Sequence, residues 1–198
     1  MKDNHSEKAS AAKKFMRVIV ILLPVFLIAC GGPKHMITMD AKPTIAPKAG
    51  NAVLVIARTT SMAFGVTIEN FLDKKLIGQT KGKSYFITDV APGQHYVMGH
   101  AENWSTAKIN FEAGKIYFLN QDIRMGVWMA RTGFTPLSAN DAAQQLNEGG
   151  MEYRVYDSKN PGEDMPDKDF SDAKADYDKE VKEGEHKDIE SYKGSSNM

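Results

Sequence analysis

The sequence predicts a mainly β protein: an antiparallel β-sandwich of six to eight strands, one short helix after the core, and a charged, partly helical or disordered C-terminal tail. Three observations predict it. Between Ala52 and Ile123, short runs rich in Val, Ile, Tyr and Phe alternate with turn residues. No helical stretch separates these runs, so the β-α-β rhythm of a parallel sheet is missing. Beyond Tyr156 the apolar residues thin out, and residues 157–198 carry seven Lys against thirteen Asp or Glu, a net −6.

The elements follow in order. "AVLVIAR" (52–58) reads as a first strand, "MAFGVTIEN" (62–70) as a second and "KKLIGQT" (74–80) as a third. "KSYFITDV" (83–90) leads into Ala91-Pro92-Gly93-Gln94. Proline presets φ at the first central turn position and glycine accepts positive φ at the next, so Pro-Gly is a type II turn signal. "HYVMGHAENW" (95–104) follows. "TAKINF" (106–111), Glu112-Ala113-Gly114 and "KIYFLNQDI" (115–123) together read as a hairpin. Ser138 is an N-cap candidate with Asp141 three residues on, and Leu137 and Ala142 can staple across that start. The helix continues through "NDAAQQLNE" and stops at Gly149-Gly150. "MEYRVYD" (151–157) reads as a last edge strand.

"SYFITDVAPGQHYV", "EAGKIYFL" and "FLDKKLIGQT" resemble a family of bacterial envelope lipoproteins of unknown function with a β-sandwich core. The elements that carry the resemblance are Tyr85, Pro92-Gly93 with His95, and Ala113-Gly114-Lys115 with Tyr117. PEGA-type surface modules share a similar rhythm over residues 50–135. The resemblance implies a fold and a location and brings no activity with it. Leu72-Asp73-Lys74-Lys75 departs from it, because such modules often carry an Asp-Gly turn there.

The amino terminus carries the most specific signal. Residues 1–17 hold five basic and two acidic side chains, and Val18–Ala29 is a run of twelve residues without a charge. A spanning helix needs about 20 such residues, whereas a secretory h-region preceded by a basic segment needs only about 7–15. The run ends in Leu27-Ile28-Ala29-Cys30, which resembles the bacterial lipobox, and Cys30 is the only cysteine in the chain. The resemblance implies thioether lipidation of Cys30 and cleavage before it. Gly31, where an Asp would retain the protein on the inner membrane, points to the outer membrane, facing the periplasm. The expected organisation is a signal peptide (1–29), a lipidated Cys with a Pro-containing tether (30–51), a β-sandwich (52–157) and a charged tail (158–198). A flexible tether of that length spans about 25 Å and a polyproline-like one roughly 60 Å, either of which holds the domain clear of the membrane.

Composition excludes several function classes. The 25 basic and 25 acidic side chains balance, and the middle of the chain lacks the clustered basic face that nucleic acid requires. One cysteine makes neither an internal disulfide nor a Cys-rich metal site. His95 and His100 are five apart, so on a strand they face opposite ways, which argues against a shared metal with Glu102. Tyr117 and Phe118 likewise point to opposite faces and cannot fill one core. Trp104 and Trp128 are candidates for a glycan or lipid platform, because aromatic faces stack on sugars. Ser61-Met62-Ala63-Phe64-Gly65 does not fit G-x-S-x-G, and neither a Walker A motif nor a dinucleotide loop is present. The expectation is a non-catalytic module without cofactor or metal, bound to the membrane through Cys30 and to an envelope protein or glycan partner; the alternatives are a glycan- or lipid-binding module that uses Trp104 or Trp128 and, after it, an envelope hydrolase. In the tail, Asp178 with Lys182 and Glu183 with Lys187 are favourable i, i+4 spacings, and the thin apolar stripe of Phe170, Ala173, Tyr177 and Val181 reads as a solvated arm.

Overall fold

"AVLVIAR" alternates nothing: all seven of its residues are buried. A strand with that pattern needs cover on both faces and a neighbour on both edges. The computed structural model, which describes residues 33–125 and 130–197, supplies both. Its strands are β1 (Met36–Met39), β2 (Ala52–Arg58), β3 (Ile68–Leu72), β4 (Lys75–Thr80), β5 (Ser84–Val90), β6 (Gly93–His100), β7 (Trp104–Phe111), β8 (Ile116–Met125), β9 (Ala130–Leu137) and β10 (Glu152–Tyr156). The helices are α1 (Ala139–Asn147), α2 (Asp167–Lys182) and α3 (Lys187–Glu190). Among the described residues the strands form a six-stranded sheet, β1-β10-β5-β2-β8-β9, and a four-stranded sheet, β4-β3-β6-β7. β2 lies in the middle of the larger sheet.

The predicted mainly β sandwich with a short helix after its core is the fold observed. Leu54, Ile56, Phe86, Tyr117 and Leu119 from the larger sheet meet Val97, Ala107, Ile109 and Phe111 from the smaller in one core. The alternation along β8 separates Tyr117, in this core, from Phe118, which faces the other side beneath α1.

Three local expectations are corrected. Residues 106–123 do not form a hairpin: β7 pairs with β6 in the small sheet, while β8 pairs with β2 and β9 in the large one. Glu112-Ala113-Gly114 is therefore a corner between sheets. Pro92-Gly93 is another, since β5 and β6 also lie in different sheets. A turn signal dictates that the chain reverses and leaves open which sheet receives it. Second, β3 begins at Ile68 rather than Met62, because Ala63 takes a left-handed φ of 50° and residues 62–65 form a turn. Third, β10 is not an edge. It lies between β5, to which it is parallel, and β1, to which it is antiparallel.

Both outer faces are covered. Ser138 caps α1 by accepting from the Asp141 amide at 3.2 Å, and Ala142 and Leu146 pack on Val53, Val55, Tyr85 and Phe118. On the small sheet, Phe71, Leu76 and Met98 receive Met165 and Ala173, with Phe170 edge-on to Tyr96.

The C-terminal segment extends this cover into a belt. It is partly helical, as expected, but it is not a solvated arm. From β10 it crosses between β1 and β4, where Gly162 is pressed against Leu76 and His35; a Cβ there would come within 2.3 Å of Leu76. Asp164 accepts from the Leu76 amide at 3.0 Å. The segment then runs over the small sheet as α2. At the opposite seam, Ile189 and Tyr192 enter the central core, and the Tyr192 hydroxyl donates to Leu137 O at 2.9 Å and accepts from the Phe118 amide at 2.9 Å. Ser195 finally bridges Ile116. The helix ion pairs also differ in register from expectation: Asp178 meets Lys174 and Glu183 meets Lys179.

The expected tether is likewise folded down. Residues from Pro33 onward belong to the compact unit, with β1 in the sheet and Ile45 packed beside α1.

Candidate functional site

Cys30 carries the strongest functional signal, and it lies outside the described residues, as does Trp128. The region on which function can be built is the segment that follows Cys30. Lys34 and His35 are gripped by the turn after β10: Asn160 donates to Lys34 O at 2.6 Å, His35 Nδ1 lies 2.7 Å from Asn160 O, and the Asp157 amide donates to His35 O at 2.9 Å. β1 then runs along the rim of the large sheet, and among the described residues its other edge has no strand beside it. Ile37 and Met39 are two apart and so share a face; they remain 46% and 42% exposed.

Residues 42–47 continue across the outer face of the large sheet. With α1, Tyr85, Ile116 and the last residues of the belt, they enclose an open groove of about 610 Å³. Its walls are mixed: Pro43, Ile45, Pro47 and Leu146 are apolar, and Lys42, Thr44, Asn147, Ser196 and Asn197 are polar. Lys42 holds the groove's shape by donating from Nζ to Leu146 O at 2.7 Å, next to the C-terminal end of α1. Burial, followed by the neighbouring Tyr153, pushes the Tyr85 hydroxyl above the ordinary tyrosine range. A groove of this size and lining can hold a chain segment or an acyl-like ligand.

A second surface lies on the loop after β2. Arg58 is fully buried, and its guanidinium donates to Val66 O at 2.7 Å, Met62 O at 2.5 Å and Ala63 O at 2.7 Å. Removal from water pulls its pKa below the usual guanidinium value. The outcome is a fixed loop whose Met62 and Phe64 are 52% and 69% exposed. Between the sheets, Gln121 accepts from Thr80 at 2.5 Å and donates to Asn70 at 2.8 Å. Position 99 must be glycine for this network to fit, since a Cβ there would lie 2.6 Å from Gln121 Nε2. These bonds satisfy one another, so the network fixes the register of the sheets and is a structural device.

The residues singled out from sequence fall into separate surroundings. One face of Trp104 is stacked by His100, with centroids 4.1 Å apart, and Phe71 tilts against it at 5.9 Å. That geometry gives Trp104 a packing role over the small sheet. His95 faces away from His100, with Nδ1 2.9 Å from Asp73 Oδ2 and Nε2 3.1 Å from Ala91 O. The same carboxylate explains the Leu72-Asp73-Lys74-Lys75 departure: Asp73 adopts a left-handed φ of 56°, and its Oδ1 accepts from the Tyr96 amide at 3.0 Å. An Asp-Gly turn supplies the conformation; Asp73 supplies it together with a clasp onto β6. Sequence reasoning missed Ile37 and Met39. "MITM" has the β-branched, apolar character of a strand, but the three prolines around it masked the signal.

Among the described residues no helix is long and apolar enough to cross a membrane. Residues 48–134 match a family described as "Protein of unknown function (DUF2846)". The chain is also 25% identical, over 141 residues, to an uncharacterized protein of Haemophilus influenzae, an alignment covering 69% of this chain and 84% of that protein. No solved structure matches it. The segment from Lys48 to Phe134 runs from just before β2 into β9, so the β-rich core of this chain is similar to a domain of unknown function.

Proposed function

We propose that the protein is a lipid-anchored component of the cell envelope, held by acyl chains on Cys30 and facing the periplasm from the outer membrane. The β-sandwich serves as a non-catalytic binding or scaffolding module. The observation that carries this reading is Leu27-Ile28-Ala29-Cys30 at the end of a twelve-residue uncharged run, with a basic segment before it. A single acyl chain holds only marginally, and two or three make attachment effectively permanent.

The binding half of the reading is supported by the groove beside residues 42–47, whose walls bring apolar side chains and several polar groups together. The non-catalytic half is supported by where the displaced titrations fall. They are buried or half-buried tyrosines, Arg58 and surface ion pairs spread around the fold, and of these only Tyr85 lines the groove. Metabolic labelling with a fatty-acid analogue tests the anchor. Wild-type protein incorporates the label, while Cys30→Ala incorporates none and accumulates as uncleaved precursor; labelling that persists in the variant overturns the proposal.

A further inference from the structure

We infer that the β1 rim of the large sheet lies on the bilayer that holds the acyl chains, so that the sandwich rests edge-down on the lipid surface. The inference rests on the lipid-anchor reading above and adds an orientation to it. Its first support is chain length. Pro33 follows Cys30 by three residues, and already belongs to the folded unit. Three residues reach at most about 11 Å and the seven to Ile37 about 25 Å, so the anchor permits no wide excursion of β1 from the membrane.

The second support is the chemistry of the rim. Among the described residues four large apolar side chains are exposed, and two of them, Ile37 and Met39, sit on this one short strand, on one face. Their partners across the ladder, Val155 and Tyr153, are half-buried, so the apolar stripe continues into the sheet. Lys34 and Lys159 stand at the start of β1, beside the Asn160 clasp, with Asp157 close by and Asp40 at the far end. Aliphatic side chains flanked by lysines that can reach the headgroups suit an interface between water and lipid. An unpaired strand rim with exposed apolar residues also invites edge pairing with another chain, and lying on lipid removes that hazard.

Strand order makes the orientation measurable. β9 lies five strands from β1, roughly 24 Å at 4.8 Å per strand. Cys30 is the only cysteine, and its sulfur is consumed by the thioether. A cysteine introduced into the lipidated, full-length mature protein is therefore a unique site for a thiol-reactive fluorophore. Met39→Cys, Phe64→Cys and Arg131→Cys are all exposed positions. The labelled proteins are placed in phosphatidylethanolamine–phosphatidylglycerol vesicles containing nitroxide-bearing lipid, and flotation reports attachment.

The expected result is quenching at position 39 at least threefold stronger than at 131 and at 64. Equal quenching at the three positions, in protein that floats, overturns the orientation and leaves the anchor standing. Strongest quenching at 64 means that the Arg58-pinned loop meets the lipid instead, which also overturns it. Shielding of position 39 from aqueous iodide in detergent-solubilised, dimeric protein identifies a second copy as the rim's occupant, with the same consequence. Wild-type protein that fails to float removes the anchor and the orientation together.

Discussion

The sandwich core and the C-terminal belt both end up packed, by opposite means. β2 buries seven consecutive residues, whereas the described residues of 157–197 bury only Met165, Ala173, Tyr177 and Ile189. The core achieves burial by apolar density. The belt achieves it by placing four anchors where the sheets leave gaps, with charged residues filling the exposed turns between them. Net composition reads the first kind of segment well and the second badly, because a −6 stretch with four well-placed anchors looks on average like a solvated tail.

Deletions in each region should separate the two modes. Leu119→Ala, in the middle of the core, removes fully buried methyl groups and should cost roughly 2–5 kcal/mol. Urea unfolding should show the loss as one cooperative transition. A smaller effect is expected from Ile189→Ala, about 2 kcal/mol, toward the low end for such truncations because α3 is four residues long and can shift. Hydrogen exchange should then rise first in α2 and α3 and along β7, while β2 and β5 stay protected. Uniform loss of protection would show that belt and core form one cooperative unit.

The smallest effect is a pH dependence. Burial pushes the Tyr177 hydroxyl up to about 12, with the Lys108 backbone opposing the rise. The folded state therefore holds this proton more tightly than the unfolded chain, whose value is near 10. Its contribution is fully present below pH 10 and is lost as pH rises toward 12. At pH 11 the loss should be roughly 1 kcal/mol. Tyr177→Phe should flatten the fall in stability between pH 10 and 12; the other tyrosines with raised values, buried Tyr85 and Tyr117 and half-buried Tyr153 and Tyr192, retain a share of it. An unchanged alkaline slope in the variant would mean that the belt does not carry this titration.

Local physics was legible and long-range assignment was not. Strand positions from Ala52 to Ile123 follow from apolar runs, and the Ser138 cap follows from hydrogen-bonding chemistry that involves residues three apart. The opposite faces of Tyr117 and Phe118 follow from the two-residue period. What failed needed a partner far along the chain. The corners at Pro92-Gly93 and Ala113-Gly114 send strands to another sheet, Arg58 converts the start of an expected strand into a pinned loop, and β1 exists because β10, more than a hundred residues later, offers it an edge. The signal behind the proposed Cys30 anchor was contiguous in the chain. The groove was not, since its walls come from residues 42–47, Tyr85, Ile116, α1 and the last residues of the belt.

The belt also bears on the order in which the molecule can be built. Ile189, Tyr192 and the Ser195 bridge to Ile116 come later in the chain than every described strand, and they close a seam of the central core. A nascent chain lacking them has both sheets in sequence but one side of its core open to water. Closure of the core therefore waits until residue 195 has been made, however early the strands themselves become available.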